Sequence, residues 1–127
     1  MQKMSPLVGH WYMGTMMGRD CNLKLSQSGE ITVQWGGCFS QDKTIASAWH
    51  REKERLVLRH PVLVQRLGAY LTIIRQGKHL VLIPQRNEVL VKRFGYDYEL
   101  CFWPNLLGEG GLEVPKEAKD WHQKRRG

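Results

Sequence analysis

Short apolar runs recur along the chain about every ten residues, and most of them alternate between apolar and polar positions. The clearest pair is 20–26 and 30–36. Successive side chains of a strand point to opposite faces, so this alternation gives each segment one apolar face. Ser28-Gly29 supplies a tight turn between them, and the pair is predicted to form a β-hairpin. Its apolar positions are Cys21, Leu23, Leu25, Ile31, Val33 and Trp35.

A second hairpin is predicted from residues 69–75 and 79–84 around the turn Gln76-Gly77-Lys78. Both segments are apolar on both faces in places, which is typical of central strands. Further strands are predicted at 7–13, 44–50, 55–60 and 98–103.

Two segments between the strands carry helical signals. Residues 62–67 fit a short helical turn that lies over one end of a barrel and is closed by Gly68. Residues 87–95 fit either a two-turn helix with Asn87 as its N-cap or another strand, and the pattern leaves both open.

The C-terminal segment predicts a further helix. Proline is tolerated at the first helical position, so Pro115 starts a helix that extends over 115–126, after a loop at 104–114. Ala118 and Trp121 are one turn apart and are expected to dock this helix.

Together these elements predict an all-β fold, mostly an antiparallel meander of roughly seven to eight strands. Closure removes exposed strand edges, so the expected architecture is a small up-and-down β-barrel or half-barrel with a short C-terminal helix. The whole of 1–127 is expected to be one domain, with the barrel over 7–103.

Two short motifs resemble those of lipocalins and the wider calycin-like barrels. Gly9-His10-Trp11 is similar to the G-x-W signature at the start of the first strand, and Tyr96-Asp97-Tyr98 is similar to the T-D-Y segment that leads into a late strand. Together with Ala48-Trp49, the layout looks like that of bacterial lipocalin-like domains. The resemblance implies a small ligand-binding barrel in which Trp11 packs across the closed end.

The composition is that of one soluble domain, and it shows that the chain is basic. The chain has 127 residues, of which 42% are hydrophobic and 24% are charged, and its net charge is +7. A basic excess attracts anionic partners but does not specify a fold. The segment 116–127 has five basic and two acidic residues, so it contributes +3 of this charge.

The sequence also bears on location. The N-terminus lacks the apolar run of a secretory signal, and no apolar stretch is long enough to cross a bilayer. The three cysteines, which lack C-x-x-C spacing, fit reduced thiols, so a cytoplasmic location is expected unless a leader has been removed. Cys21 and Cys38 fall near the same end of neighbouring predicted strands and would pair only in an oxidising compartment.

Aromatic residues suggest a ligand site. The chain has five tryptophans, most of them in predicted strands, and aromatic walls suit a small apolar or amphipathic ligand in the mouth of a barrel. The alternative is that these side chains fill the core, as they do in most small barrels. The predicted ligand-binding residues are Trp11, Trp35, Trp49, Trp103 and Tyr70.

Catalytic and metal sites are not predicted. His10, His50, His60 and His79 lack the paired spacing of zinc ligands, and Ser47 and His50 fall on opposite faces of a strand. No nucleophile elbow, P-loop or dinucleotide motif occurs in the sequence. We therefore expect a non-enzymatic protein without a cofactor.

Two alternatives use the basic surface instead. The first is a protein-interaction module, such as a small bacterial immunity or inhibitor protein that meets an acidic partner. The second is nucleic-acid binding through the basic C-terminal tail. Outside the tail, Lys92 and Arg93 near Tyr96 and Tyr98 are the nearest approach to a basic and aromatic surface. The contact residues predicted for either partner are Lys116, Lys119, Lys124, Arg125 and Arg126.

Overall fold

In a computed structural model that describes residues 6–14, 20–36 and 43–127, eight antiparallel strands form a nearly closed barrel with a helix packed outside it. This confirms the predicted fold class. The strands are β1 (Gly9–Gly14), β2 (Asp20–Leu25), β3 (Glu30–Gly36), β4 (Lys43–Glu52), β5 (Arg55–Leu58), β6 (Tyr70–Gln76), β7 (His79–Pro84) and β8 (Trp103–Pro104). The helices are α1 (Pro61–Leu67), α2 (Glu88–Phe94) and α3 (Lys116–Arg126), and Gln85–Asn87 forms a 3-10 turn before α2.

The strands follow the order β7-β6-β5-β4-β3-β2-β1-β8. The long strand β4 joins two halves of the sheet, since its first part pairs with β3 and its last part pairs with β5. The barrel is drawn together by a bridge between β7 and the residue that precedes β8. There, Leu82 N donates to Phe102 O at 3.0 Å and Phe102 N donates to Leu82 O at 2.8 Å.

Both predicted hairpins are confirmed. In the first, Leu23 lies opposite Val33, and Gly29 in the connecting turn has a φ of +89°. In the second, β6 and β7 pair from Leu71 opposite Pro84 to Gln76 opposite His79. The period-two pattern was sufficient here because the pairing is between neighbours in the chain.

The three segments with helical signals form helices in the structure. Residues 62–67 lie in α1, where the His60 Nδ1 accepts a hydrogen bond from Val62 N at 3.1 Å and so caps the helix. The open choice at 87–95 resolves to helix α2, and the C-terminal segment forms α3. Within the three described ranges, no helix is long and apolar enough to cross a membrane.

The predicted strand at 98–103 is wrong for most of its length. Residues 98–100 form a turn, and only Trp103 of this range lies in a strand, after the single bridge at Phe102. The cause is Asp97, whose carboxylate accepts Glu99 N at 2.9 Å and whose carbonyl accepts Leu100 N at 2.8 Å. A local side-chain acceptor of this kind competes with the strand ladder.

Two hydrophobic cores lie on opposite sides of the sheet. The inner core fills the barrel with side chains from alternate strand positions. The outer core lies against the other face of β1, β7 and β8, beneath α2, α3 and the loop before α3. Fully buried members of the inner core include Leu23, Ile31, Leu56, Leu71, Leu82 and Phe102, and those of the outer core include Val81, Cys101, Trp103 and Ala118.

Each core holds a buried free thiol. Cys21 belongs to the inner core and Cys101 to the outer core. Burial raises the pKa of both thiols well above the ordinary value of a cysteine. Cys38, which the sequence suggests as a partner for Cys21, lies outside the described residues.

Candidate functional site

The aromatic residues predicted to bind a ligand do not share one wall. Trp11 and Trp35 are buried in the inner core, and Trp49 packs partly buried against it. The Trp11 Nε1 donates to Leu7 O at 3.0 Å, and the Arg66 guanidinium lies 4.9 Å from the Trp35 ring. These positions fit the interpretation that tryptophans fill the barrel.

The other two predicted residues lie elsewhere. Trp103 is fully buried in the outer core, where its Nε1 donates to Tyr96 O at 2.8 Å. Tyr70 is half-buried, and the Arg55 guanidinium stacks 3.9 Å from its ring centre. The predicted set is therefore divided between the two faces of the sheet, and its role in binding remains a prediction.

A groove of about 1040 Å³ lies outside the barrel, between the outer face of β6 and β7 and the helices α2 and α3. Its floor is apolar, since Ile74, Ile83 and Val91 line it. Ile74 and Ile83 reach the groove because their neighbours Ile73 and Leu82 take the inward positions of the same strands. Strand alternation thus supplies an apolar surface on both sides of the sheet.

One side of the groove is aromatic. Phe94, Tyr96 and Trp121 line it, and the Tyr96 and Trp121 rings meet edge to face with centres 5.4 Å apart. Gly95 has a φ of +90°, and a Cβ at this position would collide with the Trp121 ring. Glycine is therefore needed here both for its backbone conformation and for the close approach of α3.

The rim of the groove is mostly basic. It carries five basic side chains and two acidic ones. Glu88 accepts a hydrogen bond from Thr72 Oγ1 at 3.0 Å, while the Lys124 Nζ lies 5.2 Å from the centre of the Trp121 ring. The full set is Arg55, Lys92, Arg93, Lys124 and Arg125 with Glu54 and Glu88.

A buried charge cluster fastens α3 beside this groove. Asp97 is fully buried, and its carboxylate accepts hydrogen bonds from Arg125 Nε at 2.5 Å and from His122 Nδ1 at 3.0 Å. Arg125 also donates to Glu99 at 3.0 Å. Burial by itself would lower the pKa of Arg125, but the charge of Asp97 and the hydrogen bonds to both carboxylates outweigh it and raise that pKa.

The same cluster has the residue types of a metal site. Asp97, Glu99 and His122 place one potential ligand atom each within 4.8 Å of the others. However, the Arg125 guanidinium already binds both carboxylates, which supplies the positive charge that a cation would bring. We therefore interpret the cluster as an ion-pair network that positions α3.

The basic residues predicted to contact a partner are partly engaged within the chain. Arg125 binds Asp97, and Arg126 lies 3.5 Å from the Glu99 carboxylate. Lys119 lies 3.8 Å from Glu113. Lys116 and Lys119 are exposed on α3, whereas Lys124 lies at the rim of the groove. The five residues thus do not form one uniform basic face.

Sequence reasoning missed the groove as a whole but named several of its residues. Lys92, Arg93 and Tyr96 were the nearest approach to a basic and aromatic surface, and all three line the groove. Tyr98 instead stacks on His122 with ring centres 4.5 Å apart. The signal in the sequence is the segment 92–96, in which two cations are followed by two aromatic residues on either side of a glycine.

The fold and the groove define the protein as a small antiparallel β-barrel with a ligand-sized groove on its outer face. Comparison with protein-family models, with curated proteins and with solved structures finds no match to this chain.

Proposed function

We propose that this chain is a non-enzymatic binding domain that holds a small amphipathic anion, such as a long-chain carboxylate, in the outer groove. The observation that carries the proposal is the combination of an apolar floor, an aromatic side and a basic rim in one groove of about 1040 Å³. Ligand sites are typically concave, largely apolar and equipped with a few placed polar groups. The proposed scaffold is a lipocalin-like barrel, but the proposed binding site lies on the outside of the barrel and not in its interior.

The apolar body of such a ligand would pack on Ile74, Ile83 and Val91. Burial of apolar surface contributes about 25 cal/mol per Å², so a chain of several methylene groups supplies most of the binding free energy. Phe94, whose side chain is exposed at the edge of the groove, would be covered by the ligand. Covering an exposed aromatic residue adds to the same term.

The anionic head would be held at the rim. Arg125 is committed to Asp97 and Glu99, so Lys92, Arg93 and Lys124 are better placed to accept a new anion. Within the described ranges, none of these three makes an ion pair with a carboxylate of the chain. A carboxylate head would therefore add a charge partner without breaking an existing one.

The character of the lining favours binding over catalysis. Among the described residues that line the groove, no histidine, cysteine or serine occurs. The acidic residues there are Glu54 and Glu88, and the second is hydrogen-bonded to Thr72. Thr72 and Glu88 form a hydroxyl–carboxylate pair there, but these lining residues include no histidine to transfer the proton onward, so we propose binding rather than covalent catalysis.

The inner core also favours the groove as the place of binding. Large side chains such as Leu23, Leu56 and Phe102 are fully buried inside the barrel. A ligand that entered the interior would have to displace them, whereas the groove is already open to solvent. Trp49 is the inner position to test against the groove, because its indole Nε1 is buried without a hydrogen-bond partner in the described part of the chain.

The test is calorimetric titration with dodecanoate and with dodecanol, which share an apolar chain and differ in charge. We expect dodecanoate to bind more tightly, and Lys92→Glu combined with Arg93→Glu, the groove variant, to weaken it roughly tenfold or more. Lys24→Glu with Arg59→Glu is the matched control, since it reverses two exposed charges that do not line the groove. Trp49→Phe should leave binding unchanged.

Three results would contradict the proposal. Dodecanol could bind as tightly as dodecanoate, the groove variant could bind dodecanoate as well as the control does, or neither compound could bind the unmodified protein. Loss of binding in Trp49→Phe with retention in the groove variant would move the site into the barrel.

A further inference from the structure

The loop between β8 and α3 exposes three leucines. The relative exposure of the residue is 56% at Leu106, 62% at Leu107 and 46% at Leu112. Single exposed apolar residues are common on proteins, but three on one short loop are more than that background and point to an interaction surface. We call residues 105–113 the leucine loop.

The leucine loop is held in one conformation by Asn105. The Asn105 side chain donates to Gly108 O at 3.1 Å and to Gly111 O at 2.8 Å, and it accepts from Glu113 N at 3.0 Å. A backbone bond from Leu106 N to Glu113 O at 2.7 Å closes the base of the loop. Because the leucines are presented on an ordered loop, little conformational entropy is left to lose when they are buried by a partner.

The charge of this region is opposite to that of the chain. The chain has 19 lysines and arginines, yet none occurs between Arg93 and Lys116. Asp97 and Glu99 in this stretch are taken up by Arg125. Glu109 and Glu113 remain on the leucine loop, of which Glu109 is exposed and Glu113 lies 3.8 Å from Lys119.

The outer groove has the complementary chemistry, because it pairs an apolar floor with a basic rim. The leucine loop and the groove lie on different parts of the barrel. The loop follows β8 beside β1, where Asn105 N donates to His10 O at 2.9 Å, while the groove lies over β6 and β7. Within one molecule the leucine loop does not occupy the groove. The two surfaces can therefore meet between two copies of the chain.

We propose that the leucine loop of one copy docks in the outer groove of a second copy. The inference rests on the proposed function in one respect. The leucine loop combines apolar side chains with carboxylates, which are the same chemical groups as those of the amphipathic anion proposed as ligand. The contact uses different surfaces on the two copies. Such head-to-tail association leaves a loop and a groove free at the ends, so it continues beyond a dimer unless a ring closes.

The test is the mass of the full chain in solution, measured by sedimentation between about 10 µM and about 1 mM, the range suited to a small interface. The unmodified protein should rise from monomer to dimer and larger species. Leu106→Ser with Leu107→Ser, the loop variant, should remain monomeric, and so should the groove variant. Val89→Ser is the matched control, because Val89 is 77% exposed but does not line the groove, and it should assemble normally.

Mixing the two monomeric variants gives the sharpest outcome. The loop variant retains an intact groove and the groove variant retains an intact loop, so the mixture should form a one-to-one dimer and nothing larger. Formation of this dimer also shows that both variants are folded. A monomeric unmodified protein at 1 mM, self-association of the groove variant alone, or a mixture without dimer would each overturn the proposal.

The same variants separate this inference from the proposed function. Dodecanoate is titrated into the loop variant, which keeps the groove and does not assemble. Binding of dodecanoate together with a monomeric unmodified protein overturns the self-association alone. Groove-dependent assembly without dodecanoate binding overturns the small-ligand proposal alone. Where both hold, dodecanoate should dissociate the assembly.

Discussion

The two cores of this protein are built in different ways. The inner core receives side chains from consecutive antiparallel strands, each of which contributes alternate positions. The outer core joins segments that are far apart in the chain, since Val81, Trp103 and Ala118 meet there. The inner core is therefore secured by many neighbouring hydrogen-bonded pairs, whereas the outer core depends on the docking of α3.

This difference bears on the candidate site. The groove takes its floor from the barrel and part of its aromatic and basic lining from α3, through Trp121 and Lys124. Two features hold α3 in place, namely the buried Asp97 cluster and the close approach at Gly95. We expect changes at either feature to affect the outer core and the groove before they affect the barrel.

The largest effect is expected for Asp97→Asn. The substitution preserves the shape of the side chain but removes the buried one of the two negative charges that Arg125 binds, and a broken buried ion pair typically costs about 3 kcal/mol or more. The free energy of unfolding in urea should fall by about 3 kcal/mol. Glu109→Gln, which removes one exposed negative charge, is the control and should have little effect.

The rates of thiol modification show which of the two cores is destabilised by Asp97→Asn. In a background of Cys38→Ser, Cys101 reports on the outer core and Cys21 on the inner core. Asp97→Asn should speed the reaction of Cys101 in native conditions with little change at Cys21, since local opening exposes only the released layer. Equal acceleration at both thiols would mean that the two cores open as one unit.

A smaller loss is expected for Gly95→Ala. Its positive φ and the collision of the new Cβ with Trp121 should together lower the free energy of unfolding by about 2 kcal/mol and weaken dodecanoate binding. Gly110→Ala separates the two causes. Gly110 has a φ of +85°, but no atom lies within 4 Å of a Cβ there, so only the backbone strain of about 1 kcal/mol should appear.

Measured by urea unfolding, the excess loss of Gly95→Ala over Gly110→Ala should disappear when Trp121 is first replaced by alanine. If the excess persists in that background, the close approach of Trp121 is not its cause.

The smallest effect concerns alkaline pH. The thiols of Cys21 and Cys101 have raised pKa values when folded, so each contributes stability that is fully present below the unfolded value near 8.5 and is lost as the pH rises above it. Urea unfolding should show a loss of about 1 kcal/mol per thiol between about pH 8.5 and about pH 9.5.

Cys21→Ala and Cys101→Ala serve as controls for one another in the alkaline experiment, again in the Cys38→Ser background. Each should remove one thiol's share of the pH dependence. If only Cys21→Ala does so, the outer core has already opened at alkaline pH and the two cores are less coupled than the ion-pair network suggests.

Most of the barrel could be predicted from the sequence, and the reason is local. The hairpins β2-β3 and β6-β7 pair neighbours across short turns, so alternation and a glycine suffice to define them. The sequence does not decide between helix and strand at 87–95, because Val89 and Val91 fit either period. The burial of Val91 in the outer core decides for the helix. The segment after Asp97 was predicted wrongly because its turn depends on a side-chain acceptor.

The candidate site was less predictable. Trp103 has the same local pattern as a tryptophan of the inner core, but the bridge at Phe102 places it on the outer face. The sequence predicts the basic residues of the C-terminal tail as a free charged surface. In the structure, however, Arg125 points inward to Asp97, 28 residues earlier in the chain. Neither contact has a local signature in the sequence.

The sequence by itself thus determined an antiparallel meander that forms a barrel or half-barrel, the two hairpins and the C-terminal helix, because side-chain periodicity and turn residues act over a few residues. Only the tertiary structure decided that α3 docks through Asp97, that Trp103 faces outward and that a basic, aromatic groove lies outside the barrel. These features join residues that are distant in the chain. They arise where burial of apolar surface and pairing of buried charges are satisfied together, which no short segment can specify alone.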